Sequence, residues 1–206
     1  MHDGGCGVRD LVGDLPKTGA AILYAEELHA GQCRGVDGAP FILHPLEVAT
    51  LLYQTGAPDH VIAAGALHDV IEKADVEPEV LAQRFGRTVA KLVQAVSEDE
   101  QIRGYTRRKA ALRRQAAAAG EEALMVMAAD KISKVRELAL EARALDPAGI
   151  STAQPRERRL AHYRSCLKLL EQRLTGSPLV TQLAIELAPY LQEAVNAPAP
   201  VLVAVT

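Results

Sequence analysis

The sequence predicts an all-α protein, with about eight to ten helices packed into one compact bundle. Hydrophobic residues make up 49% of the 206 residues, but aromatic residues make up only 3%. Alanine, leucine and valine supply most of the apolar share, and alanine and leucine favour helices, whereas strands are enriched in β-branched and aromatic residues. Proline and glycine divide the chain into segments of helical length that short loops connect.

The first half of the chain is predicted to form five helices. Their expected bounds are 17–32, 45–55, 59–74, 78–86 and 87–97. Pro45 stands in a first turn, where a missing N–H is tolerated, and the residue before it should lie outside the helix because proline restricts its backbone. Asp59 is a residue type that caps helix N-termini, so we expect it to cap the third helix.

The second half is predicted to form four longer helices, over 106–119, 121–144, 156–174 and 178–196. Ser177 provides the cap of the last helix and Pro178 its first turn. No repeat or linker divides the chain, so residues 15–196 are expected to form one domain. The segments 1–14 and 197–206 are expected to be the least ordered parts.

Composition and charge argue against several classes of protein. The net charge is −3, which gives no general basic field and no reason to expect a nucleic-acid partner. No apolar run approaches the length of a membrane span, and the N-terminus lacks the pattern of a signal peptide. Cys6, Cys33 and Cys166 have no metal-type spacing, and their odd number argues against a disulfide framework. A reducing, cytoplasmic location fits these features.

Ionisable side chains interrupt two strongly apolar segments. His68 and Asp69 directly follow the apolar run 61–67, and Asp130 directly follows the run 123–129. A buried carboxylate must be neutralised, paired with a cation or bound to a metal, because burying it alone costs several kcal/mol.

His44, before Pro45, is a further candidate. With His68, Asp69 and Asp130 it makes a set of two imidazoles and two carboxylates, which suits a divalent transition ion. Adjacent residues on a helix are about 100° apart, so His68 and Asp69 could reach one ion. The alternatives are that each histidine is a hydrogen-bonded core residue and that Asp130 pairs with Lys131 or Lys134.

These residues lie in segments that resemble the HD phosphohydrolase superfamily, and within it the RelA/SpoT-type hydrolases of guanosine alarmones. The similar segments are HAGQCR at 29–34, GAPFILHPLEVA at 38–49, LHDVIE at 67–72 and ADK at 129–131. The resemblance covers about 23–174 and implies a single HD-domain bundle without the synthetase half of longer members. It implies one ion, Mn²⁺ first and Fe²⁺ or Zn²⁺ as alternatives, held by His44, His68, Asp69 and Asp130.

The resemblance also implies roles beyond the metal set. Glu72, one helical turn after His68 and Asp69, matches a family acid that assists the attacking water. The alternative for Glu72 is an ordinary surface pair with Lys73 or Arg84. Arg34 corresponds to a nucleotide contact of the early loop, and Tyr163 to a tyrosine near the nucleotide. Tyr163 could stack on a base or simply fill space beneath the last helices.

Three positions depart from the family pattern. Lys73 stands where a second acid is usual, Lys134 stands where an asparagine is usual, and Gly35 follows Arg34 where a lysine is usual. Lys73 and Lys134 therefore add positive charge beside the expected metal. The added charge either favours contact with a more anionic substrate or lowers the basicity needed to activate water.

A run of basic residues lies outside these motifs. Its members are Arg103, Arg107, Arg108, Lys109, Arg113 and Arg114. It is interpreted either as a solvated helix surface or as a rim that attracts phosphate groups.

The leading hypothesis is a metal-dependent phosphohydrolase that releases pyrophosphate from guanosine-3′,5′-bis(diphosphate), acting without nucleic acid or membrane. The alternatives are an HD-type hydrolase of another nucleotide or phosphorylated small molecule, a nucleotide-binding module without turnover, and a purely structural bundle. Assembly into homo-oligomers is left open.

Overall fold

The computed structural model describes residues 15–35, 37–144 and 153–196. These residues form ten helices, which we number in chain order. They are α1 (Pro16–Leu28), α2 (Leu43–Gln54), α3 (Asp59–Leu67), α4 (Val70–Ala74), α5 (Pro78–Phe85), α6 (Arg87–Val96), α7 (Tyr105–Ala119), α8 (Glu121–Ala144), α9 (Ala153–Arg173) and α10 (Pro178–Asn196). No strand forms within the described ranges, so the prediction of an all-α bundle is confirmed. The predicted segments 1–14 and 197–206 lie outside these ranges.

Two helices form the centre of the bundle. Every residue from Val61 to Leu67 of α3 is buried, as the continuous apolar run requires. Helix α3 packs against α1, α2, α6 and α8, while α8 also contacts α7, α9 and α10. No helix of the described part is long and apolar enough to cross a membrane.

The close approach of α2 and α3 depends on Gly65. A Cβ atom at this position would lie 2.4 Å from Cδ1 of the buried Leu52. The missing side chain therefore lets α3 pack directly against α2. Three of the four expected metal ligands depend on these two helices, because His44 lies in α2 and because His68 and Asp69 directly follow α3.

The predicted third helix is wrong in one respect, because it is not continuous. Helix α3 ends at Leu67, His68 and Asp69 form a turn, and α4 begins at Val70. Both turn residues keep backbone angles near the helical region, with φ of −59° and −98°. Sequence periodicity does not reveal so small a change of direction.

Two further boundary predictions were also wrong. His44 lies inside α2, because the helix begins at Leu43 and places Pro45 in its first turn, where no intrahelical donor is needed. Helix α1 ends at Leu28 rather than near residue 32. His29 directly follows the helix, and its Nδ1 lies 2.9 Å from Gln32 Oε1. Gly31, in the same loop, has a positive φ of 78°.

Asp59 caps a helix other than the one that the sequence indicates. Its carboxylate accepts hydrogen bonds from the backbone N–H groups of Lys17 and Thr18, at 3.0 and 2.9 Å, and from the Thr18 hydroxyl at 2.7 Å. Lys17 and Thr18 lie in the first turn of α1, whose N–H groups have no partner within the helix. The first residue of α3 thus caps α1 and ties the two helices together.

Candidate metal centre

Two helices and one turn bring the four expected ligands close together in the interior of the bundle. His44 comes from the first turn of α2, His68 and Asp69 from the turn between α3 and α4, and Asp130 from the middle of α8. All four side chains are buried or nearly so, with His44 fully buried. From the turn at 68 and 69, both side chains reach His44 Nε2, His68 at 3.1 Å and Asp69 at 3.6 Å.

The ligand atoms lie close to one another. His44 Nε2 is 3.1 Å from His68 Nε2, 3.3 Å from Asp130 Oδ1 and 3.6 Å from Asp69 Oδ2. His68 Nε2 is 3.5 Å from Asp69 Oδ2 and 3.6 Å from Asp130 Oδ1. His44, His68 and Asp130 each offer an atom within 4.8 Å of the other two. Nitrogen and oxygen ligands about 2.1 Å from one ion and about 90 to 110° apart are roughly 3.0 to 3.4 Å from each other.

Hydrogen bonds on the far side of each ring determine which nitrogen carries the proton. His68 Nδ1 lies 2.8 Å from the Gly65 carbonyl oxygen, which only accepts, so neutral His68 carries its proton on Nδ1. His44 Nδ1 lies 2.8 Å from Ser133 Oγ, whose own proton is donated to Glu47 Oε2 at 2.6 Å. His44 Nδ1 is therefore also the donor, and both Nε2 atoms present lone pairs to the centre.

The two carboxylates add further lone pairs at the same point. Asp69 Oδ2 and Asp130 Oδ1 are both buried and have no hydrogen-bond partner among the described residues. Four electron-pair donors thus converge with no donated proton between them, an arrangement that is costly unless a cation lies among them. The residues present fit a divalent metal ion.

Electrostatics within the set agrees with this interpretation. Burial lowers the pKa of His44, so this imidazole is neutral. Burial alone would also lower the pKa of His68, but the carboxylates of Asp69 and Asp130 raise it to about 9. Without a metal, His68 therefore takes up a proton at neutral pH, and that proton supplies the positive charge that the two carboxylates require.

Asp130 has a second charged neighbour. Its other oxygen, Oδ2, accepts a hydrogen bond from Lys131 Nζ, and the Lys131 side chain is buried. Burial by itself raises the pKa of Asp130, but the Lys131 ammonium and the two imidazoles hold it well below its usual range. The expected alternative, an Asp130–Lys131 pair, therefore coexists with the metal set, because each partner uses a different carboxylate oxygen.

Glu72 lies on α4, one turn beyond the ligands His68 and Asp69. Its Oε1 accepts a hydrogen bond from the Glu98 backbone N–H at 2.7 Å, and no described residue forms the surface ion pair considered as its alternative. Burial raises the pKa of Glu72, and the negative charges of Asp69 and Glu98 raise it further. A carboxyl group with a raised pKa is suited to exchanging protons near neutral pH.

Lys134 and Lys73, the two lysines that depart from the family pattern, have different surroundings. Lys134 is half-buried, with its Nζ 3.5 Å from Glu137 Oε2 and 5.8 Å from the centroid of the Phe41 ring. Burial raises the pKa of Asp69, but the imidazoles of His68 and His44 and, to a smaller extent, the Lys134 ammonium hold it below its usual value, which places Lys134 near the ligands. The Lys73 side chain is exposed, and its carbonyl accepts a hydrogen bond from Gln32 Nε2 at 3.0 Å.

Arg34 and Tyr163 are not placed in contact with the metal set. Arg34 binds the Asp37 carboxylate through Nε and Nη2, at 3.2 and 2.5 Å, within the loop before α2. Tyr163 on α9 is 5% exposed and belongs to the hydrophobic core, which leaves little of its ring open to a ligand. Their assignment to substrate binding stays a prediction.

The supporting residues Ser133, Glu47 and Arg136 were not anticipated from the sequence. Arg136 Nη1 binds Glu47 Oε1 at 2.7 Å, and its Nε binds Glu186 Oε1 on α10 at 2.8 Å. A chain of polar contacts therefore runs from His44 through Ser133, Glu47 and Arg136 to the last helix. The only available signal was spacing, since Glu47 follows His44 by three residues and Ser133 follows Asp130 by three.

Comparison with known proteins shows which family this chain resembles. Residues 21–152 match the family model described as HD domain. The guanosine-3′,5′-bis(diphosphate) 3′-pyrophosphohydrolase MESH1 of Danio rerio is 35% identical over 120 residues, which cover 57% of this chain and 66% of the relative. The guanosine-3′,5′-bis(diphosphate) 3′-pyrophosphohydrolase of Aquifex aeolicus is 33% identical over 120 residues, which cover 57% of this chain but only 17% of the relative. The chain spans less than a fifth of the length of such bacterial relatives.

A solved structure, described as a metazoan ortholog of SpoT that hydrolyses ppGpp, superimposes with a TM-score of 0.68 and 26% identity. The match covers 84% of this chain and 95% of that one. The all-α bundle, the convergent histidines and aspartates and the family match over more than half of the residues agree with one another. The chain therefore belongs to the HD-domain family.

Proposed function

We propose that this protein is a metal-dependent phosphohydrolase that releases pyrophosphate from the 3′ position of guanosine-3′,5′-bis(diphosphate). The observation that carries the proposal is the convergence of His44 Nε2, His68 Nε2 and the unpartnered oxygens of Asp69 and Asp130 at one buried point. The names of the similar proteins support the choice of substrate.

The ligand set would hold one divalent ion, for which we propose Mn²⁺ because two imidazoles and two carboxylates suit such an ion. When bound, the ion supplies Lewis acidity that activates water and neutralises phosphate charge. Ser133 and Gly65 keep the two imidazole rings oriented with Nε2 toward the centre, so that binding needs no reorientation of the rings.

Glu72 is proposed to handle the proton of the reaction. Water adds to the phosphorus atom attached to the ribose 3′ oxygen, the bond from phosphorus to that oxygen breaks, and pyrophosphate leaves. The attacking water loses a proton, for which the Glu72 carboxylate is a suitable acceptor, and the 3′ oxygen gains one. The raised pKa of Glu72 keeps the carboxyl able both to take up and to return a proton.

Lys134 and Lys73 are proposed to contact the anionic substrate, together with Arg34 and Tyr163. Lys134 supports this role best, because its ammonium lies beside the ligands and faces only one carboxylate, Glu137, within 4 Å among the described residues. The added charge also favours a second candidate, an HD-type hydrolase of another phosphorylated small molecule that is more anionic. The cytoplasmic setting expected from the composition suits either substrate.

The test is hydrolysis by the full chain after metal removal and reloading with Mn²⁺. Release of pyrophosphate from the alarmone, absent from a His68→Ala control, is expected. If the reloaded protein and the His68→Ala variant give the same result, the proposal is wrong. Turnover of other nucleotides but not of the alarmone, in a panel read by phosphate release, would favour the second candidate. Tight alarmone binding without turnover would indicate a binding module instead.

A further inference from the structure

The basic residues of α7 have different surroundings. Glu98 neutralises part of their charge, because its carboxylate binds both Arg108 Nε and Lys109 Nζ. Arg107 and Arg114 are exposed on the surface of the helix. Arg113 instead points toward α9, where its Nη1 donates a hydrogen bond to His162 Nδ1 at 2.8 Å.

A cleft of about 130 Å³ lies between α7 and α9 at this place. Three cationic side chains line it, Lys109, Arg113 and Arg158, and hydroxyl groups come from Thr106 and other lining residues. None of the lining residues is acidic, and none is a member of the metal set or Glu72. The cleft is therefore a separate feature of the bundle.

The positive charge of the cleft is only partly balanced. Among the residues whose side chains the structure describes, no carboxylate pairs with Arg113 or Arg158, and Lys109 shares Glu98 with Arg108. The partner of Arg113 is a neutral imidazole, which accepts a hydrogen bond without cancelling the charge of the guanidinium. An arginine held in this way keeps further N–H donors for a ligand.

The neutrality of His162 follows from its surroundings. Its side chain is buried, and burial together with the nearby charges of Lys131, Lys109 and Arg113 lowers its pKa to about 2. His162 therefore cannot add its own charge, but as a neutral acceptor it fixes the direction of the Arg113 guanidinium. Two of these cations, Lys109 and Arg113, also line the cleft, where an anion would meet them.

We propose that the cleft between α7 and α9 is a second anion site, which binds a phosphate or pyrophosphate group through Arg113, Arg158 and Lys109. Guanidinium groups match the geometry of phosphoryl oxygens and bind them by charge-assisted hydrogen bonds. Hydroxyl groups such as that of Thr106 add neutral donors at the edge. The site goes beyond the proposed hydrolysis, since it needs neither the metal set nor Glu72.

The test is titration of inorganic pyrophosphate into the 206-residue chain, measured by calorimetry after treatment with a chelator and, in parallel, in the His68→Ala variant. Saturable binding near one equivalent in both is expected. If binding appears only when metal is present, the anion belongs to the metal centre and the proposal is overturned. Absence of hydrolytic activity would not affect this result, so the two proposals fail separately.

Matched variants locate the site. Arg113→Gln combined with Arg158→Gln should weaken pyrophosphate binding by about 10- to 100-fold, because two charge-assisted contacts are lost. Arg107→Gln combined with Arg114→Gln removes the same charge from the exposed side of α7 and should leave affinity within about twofold. Equal loss in both double variants would mean attraction by general charge and would overturn the site. The single variant Arg158→Gln, at an exposed position, gives the same comparison without disturbing the His162 contact.

Discussion

His44 Nε2 and His68 Nε2 lie 3.1 Å apart although neither carries a proton in the neutral rings. Their Nδ1 protons are donated away from the centre, to Ser133 Oγ and to the Gly65 carbonyl. Two lone pairs facing each other beside two carboxylates require a shared positive charge, which a divalent ion would supply when bound and a proton on His68 supplies otherwise. That requirement makes the metal content of the protein the first quantity to measure.

Elemental analysis of protein purified without chelator should give one divalent ion per chain. At a free ion concentration about 100 times the dissociation constant, binding should stabilise the fold by about 2.7 kcal/mol, seen as a rise in Tm on adding Mn²⁺. His68→Ala should abolish this rise. His60→Ala, which removes a half-exposed histidine bonded to Glu122, should keep it. A Tm that does not respond to any divalent ion would contradict a metal centre.

Ser133→Ala removes the acceptor that fixes the His44 tautomer. With no hydroxyl at 133, His44 Nδ1 loses its 2.8 Å hydrogen bond and keeps only the Glu137 carboxylate at 3.6 Å, so the ring carries its proton more often on Nε2, where a metal needs the lone pair. Metal affinity should fall by about 10- to 100-fold, because outer partners of metal-binding histidines contribute that much. Competition with a fluorescent chelator measures the affinity. Thr50→Ala removes an exposed hydroxyl on the same helix as His44 and should leave the affinity unchanged.

Glu72→Gln separates metal binding from turnover. The amide cannot exchange a proton, so kcat should fall by about 10²- to 10⁴-fold while metal content stays at the wild-type value. Because burial and neighbouring charges raise the pKa of Glu72, the acid limb of the profile of kcat/KM against pH should lie above the range of an ordinary glutamate. That limb should be missing from the residual activity of the variant. Wild-type turnover in Glu72→Gln would remove this residue from the proposed mechanism.

Asp59→Ala should destabilise the fold by about 1 to 2 kcal/mol, as expected for loss of a helix cap. Hydrogen bonds from Thr18 and Lys17 lower the pKa of Asp59 although burial opposes them. A carboxyl whose pKa is depressed by folding stabilises the protein above its unfolded pKa, and this contribution is lost as the pH falls through the folded value. The difference between wild type and variant, measured by urea denaturation, should therefore shrink in acid. Glu26→Ala, at an exposed position on α1, serves as the control.

Much of this protein could be predicted from its sequence. Low aromatic content and the positions of proline and glycine identify an all-α bundle. Helix α8 has the bounds that its flanking residues indicate. His44, His68, Asp69 and Asp130 stand out because ionisable groups within apolar segments need a partner. These features depend on neighbours within a few residues, which is the range over which helical periodicity and capping act.

Only the tertiary structure shows how distant residues cooperate. Asp59 caps α1 through Thr18, which is 41 positions away in the sequence, and His44 contacts Ser133, which is 89 positions away. The turn at His68 and Asp69 likewise lies between two separate helices. The Glu98 N–H that holds Glu72 and the cleft between α7 and α9 likewise require packed neighbours. The sequence determines which groups must find partners, because burial of charge is costly wherever it occurs. Packing decides which partners they find, because hydrogen bonds and ion pairs depend on distances that no local pattern encodes.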